Sequence, residues 1–133
     1  MKLVVDTNCI FAALLRDRTC REILTSRKHT FVTPDFTLEE IKKHAREIQK
    51  RSGLAPEAFD LLMSLLFINI EVIPHLEYDI FLPKAKKLIG DQDMKDVPFV
   101  ACALALKIDG IWSDDQDFLA QKKIMIYTMR ELV

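Results

Sequence analysis

The sequence predicts an α/β fold, a three-layer α/β/α sandwich with a parallel sheet of four to five short strands. Short apolar runs alternate along the chain with segments of helical periodicity, which is typical of strands joined by crossover helices. The first run, Lys2–Val5, has no polar alternation, as expected of a strand that is covered on both faces. The 133 residues fit a single domain spanning 1–133, and 50% of them are hydrophobic, which excludes a disordered chain.

The predicted strands are short and end at turn residues. Pro34 follows the second strand and Pro74 the third, and proline cannot donate to a sheet ladder. After Lys2–Val5, the predicted strands are 31–32, Ile70–Ile73, Gly110–Trp112 and 124–127.

The predicted helices are marked at their ends. Thr19 with Glu22 three residues later is a capping-box pair, and Thr37 with Glu40 is another. In the Thr37 helix apolar residues recur at helical spacing, and Gly53 is the expected stop. The predicted helices are 8–15, 19–26, 37–52, 56–66, 77–89 with a bend at Pro83, Val97–Leu106 with Pro98 in its first turn, and two short ones near Phe118 and at the C-terminus.

Composition excludes several classes of protein. The formal charge of −1 excludes a strongly basic nucleic-acid binder, although local basic patches are compatible with it. No apolar run has the length of a membrane span, and the N-terminus is not a secretory signal. The three cysteines lack C-x-x-C spacing, so neither a zinc site nor a disulfide framework is expected. We expect a cytoplasmic protein without a membrane partner.

Acidic residues follow two predicted strands and open two predicted helices. Asp6 comes directly after the first strand, and Asp115 comes shortly after the Gly110–Trp112 strand. Glu40 and Asp96 lie at helix starts. Because the carboxyl ends of parallel strands form the binding edge of such a sheet, we expect these four carboxylates to converge there. Clustered carboxylates select Mg²⁺ or Mn²⁺, and phosphodiester hydrolysis is the chemistry that uses such ions.

Each of these acids also has a structural explanation. Glu40 can serve as the capping-box partner of Thr37. Asp96 is a suitable N-cap for the following apolar helix, and Asp115 or Asp117 can cap the short helix near Phe118. Asp6, directly after a buried strand, has a cap to provide only if a helix starts at once with Thr7.

Four motifs together resemble the PIN domain family, the nucleases that include VapC-type toxins. The matching segments are Leu3-Val4-Val5-Asp6-Thr7-Asn8, Thr37-Leu38-Glu39-Glu40-Ile41, the run from Asp96 to Leu104, and the run from Trp112 to Phe118. They occur in family order and at family spacing over nearly the whole chain.

The resemblance implies a PIN-like sandwich and a set of site residues. Asp6, Glu40, Asp96 and Asp115 correspond to the family's catalytic, metal-binding acids, with Glu40 preferred over Glu39. Asp117 matches a further acid of many members, while Asn8 and Ser113 are expected to orient the ligands by hydrogen bonds. We expect Asp91 and Asp93 to be solvated loop acids, with metal contact by Asp93 the lesser alternative.

The activity implied is that of a Mg²⁺- or Mn²⁺-dependent endoribonuclease that leaves 5′-phosphate and 3′-hydroxyl ends. Such a protein can be a toxin held by an antitoxin protein, and we expect a homodimer. Two alternatives stay open. The chain can be an RNA-processing subunit or binding partner with the same fold, or, less well supported, a receiver-like phospho-acceptor module. The latter needs an acid after the third strand, where this chain has Ile73-Pro74-His75.

Several other features have a substrate-binding and a structural interpretation. Lys42, Arg46 and Lys50 recur at four-residue spacing and can contact RNA, although a solvated helix face explains them as well. We expect the three histidines to be surface residues and Trp112 to lie in the core. A helical apolar stripe is expected to pack in the core or, in part, to form a homodimer or antitoxin surface. Its members are Phe59, Leu62, Met63, Leu66 and Phe67.

Overall fold

Five parallel strands form one sheet in a computed structural model that describes residues 1–90 and 94–133. The strand order is β3-β2-β1-β4-β5, and every pair of neighbours is parallel. The parallel sheet predicted from the sequence is therefore confirmed. Asp91 and Asp93, expected as loop acids, lie outside the described residues. The strands are β1 Lys2–Val5, β2 Thr30–Pro34, β3 Ile70–Ile73, β4 Gly110–Trp112 and β5 Ile126–Tyr127.

Two strands differ from their predicted bounds. β2 is longer than 31–32 because its pairing with β3 continues to Pro34, which lies opposite Ile73. β5 begins at Ile126 and not at Ile124. The backbone amide of Ile124 donates to the side-chain carbonyl of Gln121 at 2.8 Å, so a local turn uses the group that a strand ladder would need.

The connections between strands are mostly helical. The helices are α1 Thr7–Leu15, α2 Arg18–Thr25, α3 Phe36–Ser52, α4 Pro56–Phe67, α5 His75–Tyr78, α6 Leu82–Ile89, α7 Val97–Leu106 and α8 Met129–Leu132. Short 3₁₀ turns cover Asp79–Phe81, Met94–Asp96 and Gln116–Ala120. The single helix expected over 77–89 is thus two helices joined by a 3₁₀ turn, with Pro83 in the first turn of α6, where its missing N–H is not needed. No helix among the described residues is long and apolar enough to cross a bilayer.

Two hydrophobic cores, one on each face of the sheet, make the fold three-layered. Leu3 and Val5 of β1 point into a core formed with α1 to α4 and α8. Val4 points to the opposite face, where it packs with α5, α6 and α7. Trp112 of β4 is fully buried in the first core, as expected. The α/β/α sandwich is confirmed.

The helix starts differ from the predicted caps. Asp17, and not Thr19, caps α2, because its carboxylate accepts a hydrogen bond from the Cys20 amide at 3.0 Å. Helix α3 begins at Phe36, one residue before the predicted cap Thr37. Gly53 ends α3 in the left-handed conformation with φ of 73°, as predicted.

A chain of buried hydroxyl groups explains why Thr37 is not a cap. Its Oγ1 lies 3.0 Å from Oγ1 of Thr7 and 2.7 Å from Oγ1 of Thr33. Thr33 in turn donates to the Val5 carbonyl at 3.1 Å. These bonds tie the first turns of α1 and α3 to the carboxyl ends of β1 and β2, which positions both helices at one edge of the sheet.

Candidate metal centre

The strand order creates a switch point between β1 and β4. The chain runs from β1 outward through β2 to β3, and then returns to the other side of β1 to form β4 and β5. Ligands of open parallel sheets bind outside the carboxyl ends of the strands at such a point. Asp6 follows β1 there, and its amide donates to the Trp112 carbonyl at the end of β4 at 3.0 Å.

A cavity of about 170 Å³ opens at this edge, and four predicted acids line it: Asp6, Glu40, Asp96 and Asp115. Four separate segments of the chain deliver them. This volume has room for several water molecules, which is enough for a hydrated ion. The structure therefore brings together the carboxylates that the sequence placed at different strand and helix ends.

The tightest group of carboxylates consists of Asp96, Asp115 and Asp117. One oxygen from each lies within 4.8 Å of the others. Asp117, expected from the sequence only as an additional acid, is thus part of this set. Asp6 and Glu40 are outside the set, but they line the cavity with Asp96 and Asp115. A purely oxygen donor set of this kind suits Mg²⁺ or Mn²⁺ and not a thiolate-seeking metal.

Ser113 connects two of the acids, in the orienting position that the sequence predicted for it. Its hydroxyl donates to Oδ2 of Asp6 at 2.7 Å, and it accepts the Asp115 amide at 3.0 Å. Asp6 is only 5% exposed, and burial is the main cause that raises the pKa of its carboxyl group. The hydrogen bond from Ser113 lowers this pKa and the negative charge of Asp115 raises it. A bound cation would favour the ionised form.

Glu40 lies in the site and does not cap a helix. It is the fifth residue of α3, and the hydroxyl of its expected partner Thr37 is engaged with Thr7 and Thr33. The Glu40 side chain is 13% exposed, with Oε2 at 3.6 Å from Nε2 of His44 and Oε1 at 4.0 Å from Nζ of Lys95. The capping explanation of Glu40 is therefore wrong.

Helix α1 does start at Thr7, directly after Asp6, but the Asp6 side chain makes no capping hydrogen bond. The capping explanation also fails for Asp96, and it holds for Asp115. Asp96 precedes α7 but makes no side-chain capping bond to it. Asp115 does cap the 3₁₀ turn Gln116–Ala120, since its Oδ1 accepts the Asp117 amide at 2.9 Å. This bond fixes the Asp115 carboxylate beside Asp117 and leaves its second oxygen for another partner.

His44 and Lys95 are site residues that sequence reasoning missed. Both line the cavity with Glu40. The His44 side chain is 38% exposed, so it is a surface residue as predicted, but its place beside Glu40 was not foreseen. The rings of Phe11 and His44 pack in a T-shaped arrangement at a centroid distance of 6.1 Å. The available signal was the four-residue spacing of Glu40 and His44, which places both on one face of a helix.

The predicted RNA contacts lie outside the cavity. Lys42, Arg46 and Lys50 are exposed on α3, and none of the three lines the cavity that holds Glu40. At 100° per residue, Lys42 points about 160° away from Glu40, whereas Lys43 lies about 60° from it. Helix geometry thus favours Lys43 as the nearer cation. Asn8, expected beside the carboxylates, is exposed and lines this cavity.

Comparison with known proteins adds two findings. A family model described as PIN domain matches residues 4–131. The fold is similar to a chain in the "Crystal structure of VapBC2 from Rickettsia felis bound to a DNA fragment from their promoter", with a TM-score of 0.66 and 13% sequence identity, over 96% of this chain and 98% of that chain. Identity this low shows a common fold. No curated protein sequence matches the chain significantly.

Proposed function

Because the chain belongs to the PIN domain family, we propose that it is a divalent-metal-dependent endoribonuclease. Members of this family are generally nucleases that use divalent ions. The observation that carries the proposal is the convergence of Asp6, Glu40, Asp96 and Asp115 in one cavity. If these acids only capped helix ends, there would be no structural requirement for carboxylates from four segments of the chain to meet in one cavity.

The donor set fits a hard cation. Mg²⁺ or Mn²⁺ would be held by Asp96, Asp115 and Asp117, whose oxygens lie within 4.8 Å of one another. Asp96 and Asp115 line the cavity together with Asp6 and Glu40. Such an ion, when bound, activates water and neutralises charge on the scissile phosphate. Three carboxylates at this spacing repel one another without a cation, which also supports a metal-binding role.

The other side chains of the cavity support the approach and orientation of a phosphodiester. Ser113 holds the Asp6 carboxylate by a hydrogen bond of 2.7 Å, so that carboxylate keeps one orientation. Lys95 is exposed, and its ammonium group 4.0 Å from Glu40 offers positive charge to an incoming phosphate. Positive charge at the rim offsets the repulsion between the substrate and the acids.

We further propose that the protein is the toxin of a toxin–antitoxin pair. Its motifs resemble those of VapC-type toxins, and its fold resembles a chain of the VapBC2 structure. A role as an RNA-processing subunit uses the same site and is the alternative. The receiver-like alternative loses support, because receiver domains have strand order 2-1-3-4-5 and this sheet has order 3-2-1-4-5.

The nuclease proposal is tested by cleavage of a mixed RNA pool with mapped ends. We expect 5′-phosphate and 3′-hydroxyl ends, loss of cleavage in EDTA and recovery with Mn²⁺. Asp96→Asn and Asp115→Asn should each reduce cleavage by at least about 100-fold, since each removes a ligand charge that stabilises the transition state. Asp60→Asn, at an exposed position of α4, is the matched control. Cleavage that survives EDTA or Asp96→Asn would overturn the proposal.

The toxin proposal needs a test in cells. Expression of the wild-type chain should arrest growth, and co-expression of the gene beside it should relieve the arrest. Expression of Asp96→Asn at the same level should be harmless. Arrest by the Asn variant would mean that the effect does not come from this site.

A further inference from the structure

A second cavity, of about 370 Å³, adjoins the candidate metal centre. The two cavities share Asp6, Asn8 and Asp115 as a common wall. A volume of this size lies in the range of small-ligand pockets. A group bound in the second cavity would therefore lie directly beside the acids of the first, where a phosphodiester is proposed to be cut.

The floor of the second cavity is apolar and uncharged. It is formed by Cys9, Ala12, Cys20 and Met129, and both cysteines are buried. The Cys20 sulfur lies 3.7 Å from the sulfur of Met129. Burial is the main cause that raises the pKa of the Cys20 thiol to about 12, so the thiol is protonated at neutral pH. A polarisable floor of this kind suits the face of a flat heteroaromatic ring.

The rim carries two carboxylates that backbone amides hold in place. Asp17 accepts the Cys20 amide at 3.0 Å, and Asp114 accepts the Met129 amide at 3.1 Å. In both residues this bond is made by Oδ1 and uses one of its two lone pairs, so Oδ2 and the second lone pair of Oδ1 remain to accept from a ligand. No Lys, Arg or His lines this cavity among the residues that the structure describes. The cavity thus repels phosphate and favours a ring that bears hydrogen-bond donors.

A metal ion is a poor occupant of this second cavity. Within residues 1–90 and 94–133, the group of acids, histidines or cysteines close enough to hold an ion is Asp96, Asp115 and Asp117. Neither rim carboxylate and neither cysteine belongs to that group. The second cavity is therefore better suited to an organic molecule that carries hydrogen-bond donors.

We propose that the second cavity binds the nucleobase next to the scissile phosphate and that Asp17 and Asp114 select guanine. The inference rests on the proposed nuclease function and deepens it. In single-stranded RNA an unstacked base is recognised through its Watson–Crick edge. Guanine presents two adjacent donors there, N1–H and the N2 amino group, which match the two oxygens of a carboxylate. Adenine, cytosine and uracil each place an acceptor beside their donor.

The first test uses neutral nucleosides and needs no cleavage. The Cys20 and Met129 amides donate to the two rim carboxylates, so their ¹H–¹⁵N signals report on occupation of the rim. Titration of the metal-free protein with guanosine should shift both signals at concentrations about tenfold lower than uridine, adenosine or cytidine require. Equal responses to guanosine and uridine would overturn the proposal, whether or not the protein cuts RNA.

Variants provide the second test. Asp114→Asn and Asp17→Asn keep a capping oxygen but replace an acceptor by a donor, so each should weaken guanosine binding about tenfold. The matched control is Asp109→Asn, whose carboxylate also accepts a backbone amide, from Lys2 at 2.9 Å, but lines neither cavity. Guanosine binding that survives both rim variants would contradict the assignment.

Cleavage provides the third test. In a uridine tract with one guanine, the wild type should cut beside the guanine, and Asp114→Asn should lose about tenfold of the preference in kcat/KM for guanine over uracil. Cuts that ignore the guanine would overturn the subsite. If no RNA is cut at all, the nuclease proposal fails. The nucleoside titration still tests whether the second cavity binds guanine.

Discussion

Burial of the Asp6 carboxyl group lowers the stability of the metal-free protein and strengthens the attraction to a bound cation. It is 5% exposed at the end of β1, and burial raises its pKa. Without a cation, the ionised form costs folding free energy. With a cation, the same burial strengthens the attraction, because the surroundings screen charge poorly. Asp6, a proposed metal ligand, thus destabilises the metal-free protein.

Replacing Asp6 by Asn is therefore expected to raise the melting temperature of the metal-free protein at pH 7 and to weaken its stabilisation by Mn²⁺. Asn still accepts the hydrogen bond from Ser113 but carries no charge. Because the folded pKa lies above the ordinary 3.8, the folded state binds more protons, so wild-type stability falls as pH rises from that value through the folded pKa. The gap between variant and wild type should thus widen from pH 4 to pH 7 in thermal melts. A lower melting temperature of the variant in EDTA at pH 7 would contradict this account.

Ser113 makes a separate contribution that can be measured through the metal. Its hydroxyl orients Asp6 and accepts the Asp115 amide. Ser113→Ala should weaken Mn²⁺ binding by about 10- to 100-fold, the usual cost of losing a group that orients a ligand. Titration calorimetry gives the Kd, with Ser64→Ala on the exposed side of α4 as control. An unchanged Kd would mean that the hydrogen bond from Ser113 to Asp6 does not contribute to Mn²⁺ binding.

At the scale of secondary-structure elements, the threonine hydroxyls decide where the site helices begin. Thr7, Thr33 and Thr37 form a buried hydrogen-bonded chain between the starts of α1 and α3 and the end of β2. Helix α3 carries Glu40 and His44 into the cavity from this anchored start. The same bonds therefore contribute to folding and to the geometry of the site.

Thr37→Val is expected to lower the free energy of unfolding by about 1–3 kcal/mol, because it leaves buried hydroxyl groups of Thr7 and Thr33 with fewer partners. Thr37→Ser keeps the hydroxyl and loses one methyl group, so its loss should be smaller. Urea denaturation followed by circular dichroism measures both values. A larger loss for Ser than for Val would show that the methyl group matters more than the hydroxyl chain.

At the scale of the whole molecule, two pairs of exposed apolar side chains lie on separate helical segments. On α4, Leu61 is 62% and Leu65 is 46% exposed, one helical turn apart. After β3, Leu76 is 88% and Ile80 is 81% exposed. The predicted apolar stripe of α4 packs inward, since Phe59 and Leu66 are buried and Leu62 is half-buried against the core. A homodimer would therefore use a different face of α4 from that stripe.

The homodimer stays a prediction, and variants of the two exposed apolar pairs can test it. We expect light scattering to give the mass of a dimer for the wild type and of a monomer for Leu61→Glu/Leu65→Glu, because charge disfavours burial of that face. The matched control is Leu76→Glu/Ile80→Glu, which should leave the dimer intact. A monomeric wild type, or a monomer only in the control, would contradict the assignment to α4.

Much of the fold and part of the site could be predicted because their signals are local. Continuous apolar runs identified all five strands, and helical periodicity with Gly53 and Pro98 marked two helices closely. An acid after a buried strand in a parallel sheet must lie at the binding edge, so Asp6 could be assigned before its neighbours were known. The order of strands was needed only to say which acids would join it.

What the sequence by itself determined is which strands and main helices form and where some of them end, as at Gly53, because hydrophobic period and backbone restrictions act over a few residues. The tertiary structure decided where competing groups had several possible partners. Thr37 is hydrogen-bonded to Thr7 and Thr33 and does not cap a helix. Asp17 caps α2. Asp117 lies beside Asp96 and Asp115, and His44 lines the cavity with Glu40. Those outcomes depend on distances between segments far apart in the chain, and such distances exist only after the layers have packed.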